Sequence, residues 1–103
     1  MNKIQLIEEQ ILGCLLLDGG RLFYANEDEL MKMAWKFDKH GKIFESILDC
    51  YEVFMRIEPT IVFTLQVGED FSLAELFEMA NGCNCSAFVD YMKLHKMLLE
   101  HAK

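Results

Sequence analysis

The chain has a single proline, no long apolar run and no large excess of basic charge, and each shortage excludes something. One proline among 103 residues, with 52% hydrophobic content, is not the composition of a disordered segment. The apolar run from Cys14 to Leu17 is far below the roughly 20 residues of a membrane-spanning helix. Glu8 and Glu9 interrupt the stretch after Lys3, so no secretory signal is expected either. Ten basic against seventeen acidic residues give a net charge of −7, the wrong sign for a domain held to nucleic acid by phosphate contacts. The one concentrated basic set is Lys32, Lys36, Lys39 and Lys42, which reads as a solvated helix end and turn.

Catalytic patterns are also missing. Gly41-Lys42 is the one Gly-Lys pair, and no glycine stands five residues before Gly41, so there is no phosphate-cradling loop. G-x-S-x-G, H-E-x-x-H and G-x-G-x-x-G do not occur. His40, His95 and His101 are scattered, and nothing in their spacing singles out a pair with a cysteine nucleophile. No enzyme and no cofactor are expected. Among the four cysteines, Cys14 and Cys50 sit in apolar stretches and read as small core residues. Cys83-Asn84-Cys85 is spaced more closely than a usual zinc pair, and no second pair follows at finger spacing. Cys83 and Cys85 are therefore weak metal candidates, and free thiols in a reducing cytoplasm are the expectation.

What is present is helical patterning in a chain of single-domain length. Ile4, Ile7, Ile11, Cys14 and Leu15 share one face, and Leu12, Leu16 and Leu17 make the second half of this helix apolar nearly all round. That predicts a central helix over 4–17. Gly13 inside it points to another backbone passing close by. Asp18-Gly19-Gly20 predicts its end, with Gly19 as a left-handed cap. Asn26 is the expected N-cap of a short helix running to Trp35. After a break at 37–41, Phe44, Ile47, Leu48, Tyr51, Phe54 and Met55 mark one face of a helix over 42–55. Thr60 to Val67 is β-branched and strand-like, but a lone strand has no partner, so a short helix after Pro59 is expected. Ser72 with Glu75 makes a capping box. Gly82 follows that helix, and Ser86 opens the last one. Its face carries Phe88, Tyr91, Met92, His95, Leu98, Leu99 and Ala102, with Leu94 and Met97 outside it. An apolar surface wider than one packing face predicts an interface with another chain.

Several motifs resemble one family in order along the chain. The stretch Glu8-Glu9-Gln10-Ile11-Leu12-Gly13-Cys14-Leu15-Leu16-Leu17-Asp18 resembles the opening of the N-terminal domain of DnaB-type bacterial replicative helicases. Trp35 falls where that family has an aromatic at the end of a short helix. His40-Gly41-Lys42-Ile43-Phe44 is similar to its His-x-x-Ile-Phe/Tyr helix start. Pro59 followed by Thr64-Leu65, Leu73-Ala74-Glu75-Leu76, and Ser86-Ala87-Phe88-Val89-Asp90-Tyr91 resemble its later helices. Together these cover residues 6–102. Two features depart: Ile61 stands where the family has a capping Asp, and the segment between Leu65 and Leu73 is shorter than usual.

The resemblance implies an all-α fold, a small multi-helix bundle with a head over about 1–67 and a C-terminal helical hairpin over about 72–103. It implies a protein–protein interaction role in DNA replication without a motor, because the family's RecA-type ATPase core would lie beyond Lys103. The expected partners are a second copy, paired through the C-terminal helices, and a helicase, primase or helicase loader. Contact residues would be Phe88, Tyr91, Met92, His95, Leu98 and Leu99. A phage or mobile-element binder that modulates a host helicase, primase or loader is an alternative. An alternative of another class is a small metal- or redox-responsive protein using Cys83, Cys85 and a histidine.

Overall fold

Helix α1 (Lys3–Met31) starts where Asn2 accepts hydrogen bonds from the backbone N–H groups of Ile4 (2.8 Å) and Gln5 (3.2 Å). These come from a computed structural model that describes residues 2–101; Ala102, assigned above to the last helical face, and Lys103 lie outside them. The breaks expected near residues 18 and 26 survive as bends within one continuous run, at Asp18 (φ −138°, ψ 42°) and Asn26 (φ −128°, ψ 22°). Gly19 is not a left-handed cap, since no glycine among the described residues has positive φ. Its use is close approach: a Cβ there would lie 2.9 Å from the Cβ of Ile57. Asn26 caps no new helix; its amide donates back to the Leu22 carbonyl at the second bend (2.9 Å).

Helix α2 (Asp38–Phe54) begins earlier than the expected Lys42. Its buried stripe is His40, Ile43, Phe44, Ile47, Cys50 and Tyr51. Phe54 and Met55, expected on that stripe, are exposed, because the chain leaves the helix there. Met55 closes it in the left-handed region (φ 57°, ψ 23°), where a side chain is strained and glycine is not. Met55→Gly should therefore stabilise the protein by about 0.5–1 kcal/mol despite the entropy of glycine in the unfolded chain. An unfolding midpoint in urea that does not rise would contradict this.

Residues 60–65 are helical rather than extended, and the backbone turns extended only at Gln66 (φ −63°, ψ 141°). Helix α3 (Pro59–Leu65) carries its proline in the first turn, where a missing N–H costs nothing. The Glu58 carboxylate accepts from the Ile61 N–H (3.1 Å), so the capping carboxylate sits just before the proline instead of at Ile61. Gln66 organises the short turn that follows: its Oε1 accepts from the N–H groups of Asp70 and Phe71, and its Nε2 donates to the Phe71 carbonyl. Helix α4 (Leu73–Asn81) opens with the predicted capping box of Ser72 and Glu75. A 3-10 turn at Cys85–Ala87, capped by Asn84, leads into helix α5 (Phe88–His101).

The fold is all-α, with α1 at its centre. Helices α2, α4 and α5 each pack against α1, while α3 bridges α2 and α4. Helices α4 and α5 lie chiefly on α1 and little on one another, because Gly13 and Glu8 on α1 each draw one of them in. Phe23 of α1 stacks on Tyr51 (4.5 Å between ring centroids) and Phe44 (6.2 Å) of α2. Among the described residues no helix is long and apolar enough to cross a membrane.

Candidate interaction site

A charged residue stands in the apolar stripe of α1. Glu8 is one turn from Ile4, Ile11 and Leu12, so the helix period aims it into the core, where it is 0% exposed. Its carboxylate is saturated by four donors. Oε1 accepts from His40 Nδ1 (2.8 Å) and the Phe37 N–H (3.3 Å). Oε2 accepts from His95 Nε2 (2.7 Å) and the Lys36 N–H (2.6 Å). An ionised carboxylate only accepts, so His40 must present Nδ1–H and His95 must present Nε2–H. Burial pushes the Glu8 carboxyl upward, but the two histidines, then the two backbone N–H groups, outweigh it and hold the group at about 2. It is therefore an anion at neutral pH.

This clasp joins α1, the start of α2 and α5. Phe37, at the N-cap position of α2, has no side chain to offer, and Glu8 satisfies its N–H and that of Lys36 from another helix. The chemistry is structural: all acceptor positions of the carboxylate are filled, and none is left for a substrate.

Beside the clasp runs a groove of about 770 Å³ between the end of α1, the 32–36 connection and α5. Met33, Trp35, Val89, Met92 and Leu99 give it an apolar lining, with His95 at its edge. Trp35 packs on Phe44 (5.2 Å) and His95 (6.1 Å), so the clasp also fixes the groove floor. Lys32, Lys36, Lys93 and Lys96 line it as well, against two carboxylates, Glu29 and Glu100. The basic set expected at 32–42 is thus divided. Lys39 pairs with Glu75 (2.7 Å), and Lys42 pairs with Asp70 (3.1 Å) and Asp38 (3.3 Å), while Lys32 and Lys36 reach the groove.

The six residues expected to contact a partner do not share one environment. Phe88 and His95 are buried in the domain's own core, because α5 packs on α1 and Glu8 holds His95. They are not surface residues. Tyr91, Met92 and Leu98 are half-buried against that core. Met92 and Leu99 line the groove. Val89, Leu94 and Met97 carry the exposed apolar area of α5. Cys83 and Cys85 are half-buried, and Cys14 of α1 joins them. Sequence reasoning missed Glu8 and its pairing with His40 and His95. The available signal was that each of the three sits on the apolar face of its helix.

The sequence matches the family described as DnaB-like helicase N terminal domain over residues 1–94. The chain belongs to this family. It is thus a replication-helicase-related domain, and the match is to the N-terminal domain rather than to an ATPase core. The helical fold agrees with that membership. No curated protein and no solved structure shows a significant match.

Proposed function

We propose that this helicase N-terminal-type domain works by association, docking a replication protein in the groove between residues 26–36 and α5. The observation that carries the reading is the groove itself, an apolar trough lined by four lysines on a chain of net charge −7. Its complement is an apolar helical segment bearing acidic residues, which would bury its apolar side in the trough and meet the lysines at its edges. Family membership makes primase, helicase loader and the helicase itself the partners to test, with no unwinding or ATP hydrolysis by this domain alone. The exposed Val89, Leu94 and Met97 support a second reading, pairing of two copies through α5.

Trp35 is the sole tryptophan and lines the groove, so a 5-fluorotryptophan label gives one fluorine NMR signal at the site. Titration with purified primase, loader and helicase from the same source should shift or broaden that signal for at least one of them. The double variant Lys93→Glu/Lys96→Glu should weaken the interaction tenfold or more without lowering the melting temperature. If none of the three proteins moves the signal, the docking reading fails. Light scattering on the protein alone at high micromolar concentration decides the pairing reading, and a clean monomer removes it.

A further inference from the structure

Three thiols from distant parts of the chain meet at one place. Cys14 lies fully buried on α1, and Cys83 and Cys85 lie half-buried on the link between α4 and α5. Their sulfur atoms are all within 4.8 Å of one another, and Cys83 Sγ and Cys85 Sγ are 3.9 Å apart. Two features hold the link in place. Gly13 lets the end of α4 sit against α1, with Met79 and the Cβ of Cys83 in close approach. The Gln10 side chain then grips the link on both sides of Cys83: Nε2 donates to the Gly82 carbonyl (2.9 Å), and Oε1 accepts from the Asn84 N–H (3.3 Å). Asn84 in turn accepts from the N–H and hydroxyl of Ser86, which fixes the backbone entering Cys85.

We infer that Cys14, Cys83 and Cys85 form a three-thiolate site for a thiophilic d10 cation, Zn²⁺ or Cu⁺. With metal–sulfur bonds of about 2.3 Å, sulfur atoms sharing a tetrahedral or trigonal ion stand about 3.8–4.0 Å apart. The Cys83–Cys85 separation is already there, and the third sulfur has less than about 1 Å to close. Three sulfur donors with no oxygen or nitrogen donor in the cluster select soft ions over Mg²⁺, Ca²⁺ or Mn²⁺. A Cu⁺ ion is complete with three thiolates, whereas Zn²⁺ would take a water as fourth ligand. Without metal, burial and the neighbouring sulfur groups push the Cys14 thiol well above its usual range. Metal binding would displace thiol protons and clip the α4–α5 link to α1, stiffening the approach to α5.

The test uses the whole chain, reduced and stripped of metal under anaerobic conditions, with Zn²⁺ or Cu⁺ added alone. Native mass spectrometry should show one equivalent of at least one ion, retained against a competing chelator of micromolar affinity. The melting temperature should rise with that ion, and the two arms identify the ion. Cys83→Ser and Cys85→Ser should each reduce binding at least a hundredfold while leaving the metal-free melting temperature within a few degrees of wild type. Cys14→Ser should abolish binding too, but it places a hydroxyl in the core, so the two link variants decide the matter. If neither ion binds stoichiometrically, or if the serine variants bind as well as wild type, the site is three unliganded thiols and the inference is wrong.

Discussion

Glu8→Ala should be among the most damaging single substitutions in this protein, lowering its stability by about 3–5 kcal/mol at neutral pH. The loss comes from what the carboxylate leaves behind. Two imidazole N–H groups and the backbone N–H groups of Lys36 and Phe37 lose their acceptor together. For a domain of this length each kcal/mol is worth about 4–8 °C in melting temperature, so the variant should melt at least 12 °C lower. Glu8→Gln should fall between the two. Its amide oxygen can still accept from one pair of donors, but its NH₂ faces the other pair, and a backbone N–H cannot turn into an acceptor.

The same carboxylate sets an acid limit, and its sign is defined. Its folded value of about 2 lies below the ordinary 4.5. Its contribution is therefore complete above about pH 5 and is lost as pH falls from there toward 2. That is about 2–3 kcal/mol of stability over the window. Urea unfolding of wild type at pH 7, 4.5 and 3 should show the decline, and Glu8→Gln should show a flatter one. A Glu8→Ala protein within 1 kcal/mol of wild type would overturn the clasp's assigned weight. Because His95 and Trp35 touch the groove as well as the clasp, the fluorine signal of Trp35 should also move in the Glu8 variants.

Much of this was readable from local pattern, and the parts that were not share a cause. The Ser72–Glu75 box, the start of α3 at Pro59 and the backbone approach at Gly13 are decided by a few neighbouring residues. Helical period also placed His95 among apolar residues on α5. What period alone cannot say is whether a polar residue on an apolar face marks a gap in the core or a partner across it. Glu8, His40 and His95 answer that only together, across 87 residues of sequence. Cys14 read as a core residue and Cys83 and Cys85 as a weak pair, because their meeting depends on how α4 seats on α1. The bend at Asp18 reads as a stop for a similar reason. Gly19 reads as a cap, whereas its missing side chain makes room for Ile57, 38 residues further along the chain. The width of the apolar surface on α5 was legible, but it divides between core, groove and solvent once Glu8 fixes the helix's rotation.

Gly13→Ala should reverse the usual effect of that change. In an exposed helix interior, alanine in place of glycine stabilises by about 1 kcal/mol. At position 13 the new Cβ would overlap the Met79 carbonyl oxygen, lie 2.8 Å from its carbonyl carbon and stand 3.0 Å from the Cys83 Cβ. The first two are backbone atoms of α4, which no rotamer change can move. Relief requires α4 to draw back from α1, opening the contact made by the buried Leu76 and Ala80. The expected loss is about 2–4 kcal/mol, the propensity gain included. Gly20→Ala provides the contrast within the same helix. Its Cβ would meet only the Met55 carbonyl oxygen at 3.7 Å and the Arg56 Cα at 3.9 Å, which is ordinary contact. That substitution should be neutral or stabilising by up to about 1 kcal/mol. Urea midpoints for the two variants should thus shift in opposite directions or, at the least, only Gly13→Ala should fall. Equal midpoints would mean that α4 does not seat on α1 as described. Withdrawal of α4 would also carry Cys83 away from Cys14, so Gly13→Ala should weaken metal binding with all three thiols still present.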